Sequence, residues 1–279
     1  MREDALLDLQ SLGGVADAHP SACCGKPGLL RRELLAGLVG SALLFWSGRA
    51  RALGEMSRFR LLRLRLSDLP DPRPSAARRL AWELERRTSL LTIADAIELP
   101  LSSPDLFHYP LCLLSGNRAF ALPSEGDLLR LRRYLTFGGC LLVDSAEGEV
   151  GGGFDASVRK LLAHTLPGDP PKPVREDHVI WKSFYVLRDL PGRILATPTL
   201  EAVERDRRLA VIYTQNDLMG AMARDGFGRW EHDVVPGGDE QRERCFRFAI
   251  NVVMYALCLD YKTEQAHIDF IMRTRRSAP

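Results

Sequence analysis

Two short stretches concentrate side chains able to do chemistry. Asp144-Ser145-Ala146-Glu147-Gly148 follows the apolar run at 140–143, and Thr214-Gln215-Asn216-Asp217 follows the apolar run at 209–213. A buried parallel strand delivers whatever follows it to the carboxyl rim of its sheet, where α/β proteins collect ligands. Carboxylate, hydroxyl and amide groups gathered on one rim can hold a polar ligand, so Asp144, Ser145, Glu147, Asn216 and Asp217 are candidate ligand-binding residues. His178 and Tyr185, in the string DHVIWKSFY, are candidates for the same side, with His178 as a general base. Each has a plainer reading. Aspartate and asparagine cap turns, and a histidine whose nitrogens are already satisfied is common.

Other chemistries find less support. Gly151-Gly152-Gly153 lacks the Lys-Ser/Thr of a phosphate loop and any GxGxxG spacing, so it reads as a mobile loop. His108, His164, His232 and His267 show no HxxxH spacing and the six cysteines no CxxC, so neither a metal nor a cofactor is expected. Cys23 and Cys24 lie early in the chain, while Cys112, Cys140, Cys245 and Cys258 sit in apolar stretches and read as small buried hydrophobes. Lys plus Arg is 38 against Asp plus Glu at 36, a net charge of +2 that argues against a nucleic-acid partner.

The elements that must position these residues follow from periodicity. Residues 59–66 read as a strand, and Ser75 as the cap of a helix to Arg87 whose buried face carries Leu80, Trp82 and Leu84. A buried strand at 111–114 precedes a helix opened by Ser124, with Leu128, Leu131, Tyr134 and Leu135 on one stripe and Gly138-Gly139 ending it. Then come the strand at 140–143, a helix near 155–165, a proline-rich loop at 167–173 and the strand at 209–213. A short helix or loop at 217–224 and a long helix at 240–259 complete the chain. Strand alternating with helix predicts an α/β fold with a mainly parallel sheet.

Ahead of this domain stands LLRRELLAGLVGSALLFWSGRARALG, residues 29–54. Its apolar centre, residues 34–46, falls short of the roughly 20 residues a membrane-spanning helix needs. Arg31-Arg32, that centre and the small-x-small site Ala50-Arg51-Ala52 instead resemble a twin-arginine (Tat) export signal. The expectation is a leader at 1–52, handed to the Tat translocase in transit, and a single domain at 53–279 in the periplasm or cell envelope. If the leader is retained, the domain is a membrane-tethered interaction module.

Four strings carry a family resemblance: YLTFGGCLLVD (134–144), HVIWKSFYVL (178–187), RRLAVIYTQNDLMGA (207–221) and FAINVVMYALCLDYKTEQAHIDFIMRTRR (248–276). Together they resemble the bacterial domain-of-unknown-function 4159 family over about residues 57–276. The resemblance implies a flavodoxin-like, class I glutamine amidotransferase-like three-layer sandwich. Active members of that wider group carry a cysteine nucleophile on a sharp strand-to-helix turn, assisted by histidine and glutamate. Here the corresponding turn carries Asp144-Ser145, Cys140 lies within the strand, and the local string VDSAEG lacks a GxSxG elbow. The expected function is therefore a non-catalytic domain binding a small ligand or an envelope protein, with von Willebrand-type domains and MoxR-type ATPases as partners implied by the resemblance. The alternative is a hydrolase using Asp144, Ser145 and His178.

Overall fold

A computed structural model of the chain describes residues 58–66 and 69–276, with side chains described as far as Cys258. Arg31, Arg32, Ala50 and Ala52, the residues expected to carry an export leader, and with them Cys23 and Cys24, lie outside the described residues.

Seven strands form one sheet: β1 Leu62–Arg65, β2 Ile97–Pro100, β3 Leu111–Gly116, β4 Cys140–Ser145, β5 Lys172–Pro173, β6 Glu201–Arg205 and β7 Arg208–Thr214. Their order is β2-β1-β3-β4-β7-β6-β5. The five strands from β2 to β7 run parallel, and β6 and β5 extend the sheet antiparallel. Helices α1 Ala76–Arg87, α2 Glu125–Thr136, α3 Gly153–Thr165 and α4 Gly238–Arg276 complete the described regular structure, with three short 3-10 turns. The α/β class and the mainly parallel sheet expected from the sequence are present.

The central strands are apolar on both sides because both sides are covered. Leu111, Leu113, Cys140, Leu142 and Ile212 pack in one core with Leu80 and Leu84 of α1 and Phe248 and Val252 of α4. Their alternating neighbours Cys112, Leu114, Leu141, Val143, Val211 and Tyr213 pack in a second core with Leu131 and Leu135 of α2 and Val158 and Leu161 of α3. The period-2 side-chain alternation of the strands thus separates two cores.

Local chemistry sets the element ends. At α2, the Ser124 hydroxyl accepts from the Asp127 amide at 3.2 Å and donates to the Asp127 carboxylate at 2.8 Å. Past its far end Gly138 adopts φ +118°, and the buried Arg208 guanidinium donates to the Gly139 carbonyl at 2.9 Å and to the Leu135 carbonyl. Such donors satisfy carbonyls that a helix end leaves without partners.

Several expectations are corrected. Ser75 does not cap α1, because its backbone is already helical and its hydroxyl accepts from the Arg224 amide at 3.0 Å. Trp82 is 46% exposed, and Leu80, Ala81 and Leu84 form the buried stripe. Residue 82 lies two positions from 80 and from 84, which turns it well away from the face they share. Strands β2, β5 and β6 were not expected. Residues 217–224, expected as a short helix or loop, do hold a short 3-10 turn, Met219–Ala221, whereas α4, expected to end at 259, continues to Arg276. No described helix is long and apolar enough to cross a membrane.

Candidate functional site

At the carboxyl ends of β4 and β7 the structure gathers Asp144, Ser145, Asn216 and Asp217, all without solvent exposure. The amides of Leu218 and Met219 each donate to one Asp144 carboxylate oxygen at 2.8 Å, so Asp144 closes the start of the 3-10 turn that follows β7. Asp217 sits beside it in the left-handed region at φ +51°. Arg73 grips Asp217 with two bonds, Nε to Oδ1 at 3.1 Å and Nη2 to Oδ2 at 2.7 Å, and Arg193 adds a third from its Nε. The Gly220 amide donates to Asp217 at 3.1 Å, and a Cβ at Gly220 would lie 2.3 Å from that carboxylate.

Two guanidinium groups therefore face two carboxylates in a compact cluster, and Asp217 takes all the direct ion pairing. Burial first, and then the neighbouring Asp217 charge, push the Asp144 carboxyl well above the usual carboxylate range, against the pull of its two amides. Asp217 in turn raises the affinity of Arg73 for its proton, despite that side chain's burial.

Asn216 ties the rim to the loop ahead of β6. Its side chain accepts from the Thr197 amide at 2.9 Å and donates to the Thr197 carbonyl at 2.8 Å. Gly192 lies so close that an added Cβ would come within 2.1 Å of Asn216. The Ser145 carbonyl accepts from the Asp217 amide at 3.0 Å, and its hydroxyl accepts from the Glu147 amide at 3.4 Å. Glu147 turns back onto α3, where its carboxylate accepts from the Phe154 and Asp155 amides at 2.7 and 3.3 Å. The stretch at 151–153 is thus the start of a helix capped by its own carboxylate, an arrangement that the helix dipole favours.

His178 and Tyr185 are brought elsewhere. His178 precedes the 3-10 turn Val179–Lys182, where its Nδ1 accepts from the Ile180 amide at 3.2 Å. Its ring lies 5.6 Å from that of Tyr255, whose hydroxyl accepts from the amide of Leu209 near the start of β7. From there to Thr214 the strand advances about 17 Å, so His178 stands at the opposite end of the strands from Asp144. Burial lowers its pKa from the usual histidine value, which suits a neutral ring accepting at Nδ1. The backbone of Tyr185 is pinned by Asn251 of α4, which accepts its amide at 2.7 Å and donates to its carbonyl at 2.8 Å. The trio Asp144, Ser145 and His178 is consequently not assembled.

Arg73, Arg193, Gly192 and Gly220 are the rim residues that sequence reasoning missed; Pro72-Arg73-Pro74 within a proline-rich turn was the only local signal for the first of them. His232 is the histidine near enough to this cluster to feel Arg73, Arg193 and Asp217, and burial together with the two arginines lowers its pKa. Three of the cysteines behave as expected: Cys112, Cys140 and Cys245 are free and buried, and burial pushes the Cys112 and Cys140 thiols up to about 12. Cys258 differs in being exposed. Among the described residues no three His, Cys, Asp or Glu side chains form a metal-ligating group.

The open part of the rim lies next to β1. The chain passes from β1 to β2 on one side and then to β3 on the other, which makes the crevice beyond β1 the sheet's topological switch point. A cavity of about 400 Å³ occupies it, with Arg65, Leu66, Leu69, Asp71 and Arg118 among its lining residues.

The sequence model of a family described as a domain of unknown function (DUF4159) matches residues 58–257. No curated protein matches the chain.

Proposed function

The chain belongs to the DUF4159 family, and from that premise we propose that it is an exported, non-catalytic domain of the amidotransferase-like kind that binds a ligand or protein partner in the bacterial cell envelope. The observation that carries this reading is the closure of the β4–β7 rim. Asp144 is spent on two backbone amides and Asp217 on two arginines and an amide, all at full burial. A general base or nucleophile needs a lone pair within reach of a substrate; Asp217 already accepts four hydrogen bonds, and Asp144 and Ser145 are sealed from solvent beside it.

Sulfur chemistry at this rim is disfavoured as well: Cys245, the cysteine close enough to feel Asp144 and Asp217, is buried, and burial together with the Asp144 charge pushes its thiol above the usual range. The Cys140 thiol lies in β4, 3.5 Å from the Leu209 carbonyl, and is held protonated by burial. The parallel order β2-β1-β3-β4-β7 supports the flavodoxin-like arrangement, in which a ligand is met at the switch point. Export rests on the twin-arginine leader and its Ala50-Arg51-Ala52 site. Von Willebrand-type and MoxR-type ATPase systems are the partner classes to try first.

The test is an activity screen of the exported protein against glutamine and activated esters, with thiol- and serine-directed covalent probes alongside. The expected result is no turnover and no labelling at residues 140–147. Turnover that disappears in Ser145→Ala or Asp144→Asn would overturn the reading.

A further inference from the structure

A second cavity, about 510 Å³, opens between α1, the segment leading into β2 and the loop at Arg224. Its lining includes four guanidinium groups, Arg63, Arg78, Arg79 and Arg224, against the carboxylates of Asp95 and Asp225, with Trp82 on one wall. The charges are not evenly answered. Asp95 is taken by Arg78 at 2.6 Å, Asp225 by Arg229 at 3.0 Å, and Arg63 is held by Asp71 and Glu98. Arg79 shares the single carboxylate of Glu83 with Arg87. Arg224 makes no ion pair among the described residues. It donates from Nη1 to the Gly228 carbonyl and otherwise lies 3.9 Å over the Trp230 ring.

Donor capacity is also left over. The Nε–H groups of Arg63, Arg79 and Arg224 are buried with no acceptor among the described residues, which is costly for a cation's donors. A guanidinium has five N–H donors, and Arg79 and Arg224 each use one Nη in a hydrogen bond. Arg242 crowds the same ring at 4.2 Å from Trp230. Burial lowers the pKa of Arg79, and the charge of Arg224 adds to that.

We propose that this cavity is an oxyanion-binding site, taking the phosphate or carboxylate group of a small ligand against Arg79 and Arg224. Planar guanidinium forks match either group, and an anion there takes up the Nη–H groups that Arg79 and Arg224 leave unused and offsets their mutual repulsion. The inference rests on the binding-domain reading and adds to it a site next to the switch-point cavity, the two sharing Arg63 in their linings. The Asp144–Asp217 rim takes no part in it.

The experiment is calorimetric titration of the full chain with pyrophosphate and, separately, with citrate, at low ionic strength. Saturable one-to-one binding by either anion is expected. Stronger binding of pyrophosphate identifies the phosphate source and stronger binding of citrate the carboxylate source. Arg224→Gln should weaken it about tenfold, the loss of one charge-assisted contact, and the exposed Arg78→Gln severalfold less. Arg175→Gln, at the opposite sheet edge, should bind as the unchanged protein does. Absence of saturation with both anions, or equal affinity in the unchanged protein, Arg224→Gln and Arg78→Gln, overturns the site. Either result leaves the non-catalytic reading standing, since only measured turnover removes that.

Discussion

Asp144 shows how one residue can look catalytic in sequence and serve structure instead. Burial, and then the neighbouring Asp217 charge, raise its pKa above that of the unfolded chain. Between those two values the native state holds the extra proton, and stability falls as pH rises from about 4 through the native pKa. Asp144→Asn cannot titrate and should lack that slope, beyond a constant loss of about 1–2 kcal/mol for the amide left without an acceptor. Denaturant titrations of both proteins from pH 4 upward check this, the gap between them narrowing with pH. Parallel curves would mean that Asp144 is ionised throughout. The same residue was legible as a rim group, because an apolar run ahead of an aspartate marks a strand's end. Its fate as a cap was hidden, since Leu218 and Met219 are 74 and 75 residues away.

Among the elements, those with internal periodicity were read well and those held by neighbours were not. The helix opened by Ser124 and the strands at 111–114, 140–143 and 209–213 stand where their patterns put them, within a residue or two. The β6–β7 hairpin escaped notice because its turn residues, Asp206 and Arg207, take φ +51° and +61° where Asn-Gly is the usual signal. Arg207 is exposed, and holding a residue with a Cβ in the left-handed region costs about 1–2 kcal/mol. Glycine removes that strain but loses more entropy on folding, about 0.5–1 kcal/mol. Arg207→Gly should therefore stabilise the domain by roughly 0.5 kcal/mol, read as a higher denaturation midpoint at unchanged slope. A lower midpoint would indicate that the arginine side chain contributes more than the turn loses. Asn251 illustrates the complementary case: two strings that carried the family resemblance, 178–187 and 248–276, meet at its side-chain amide.

For the whole molecule, the leader supplies the sharpest prediction. If residues 1–52 direct twin-arginine export, changing both Arg31 and Arg32 to lysine keeps the charge but leaves the protein in the cytoplasm, and cell fractionation reads the outcome. Undiminished export of that variant would remove the envelope from the proposal. What the amino-acid order determined by itself was the α/β class, the run of buried strands, the lack of a cysteine at the rim turn and four of the residues that reach that rim, Asp144, Ser145, Asn216 and Asp217. Burial of a strand or helix face is written in spacing of two or 3.6 residues, so a short window suffices. Tertiary structure alone decided that Arg73, 144 positions from Asp217, neutralises it, that His178 stands at the far end of the strands, and that unmatched arginines converge beside α1. Charges act through space at a few ångströms whatever their separation along the chain, and no local pattern records which of them folding will bring together.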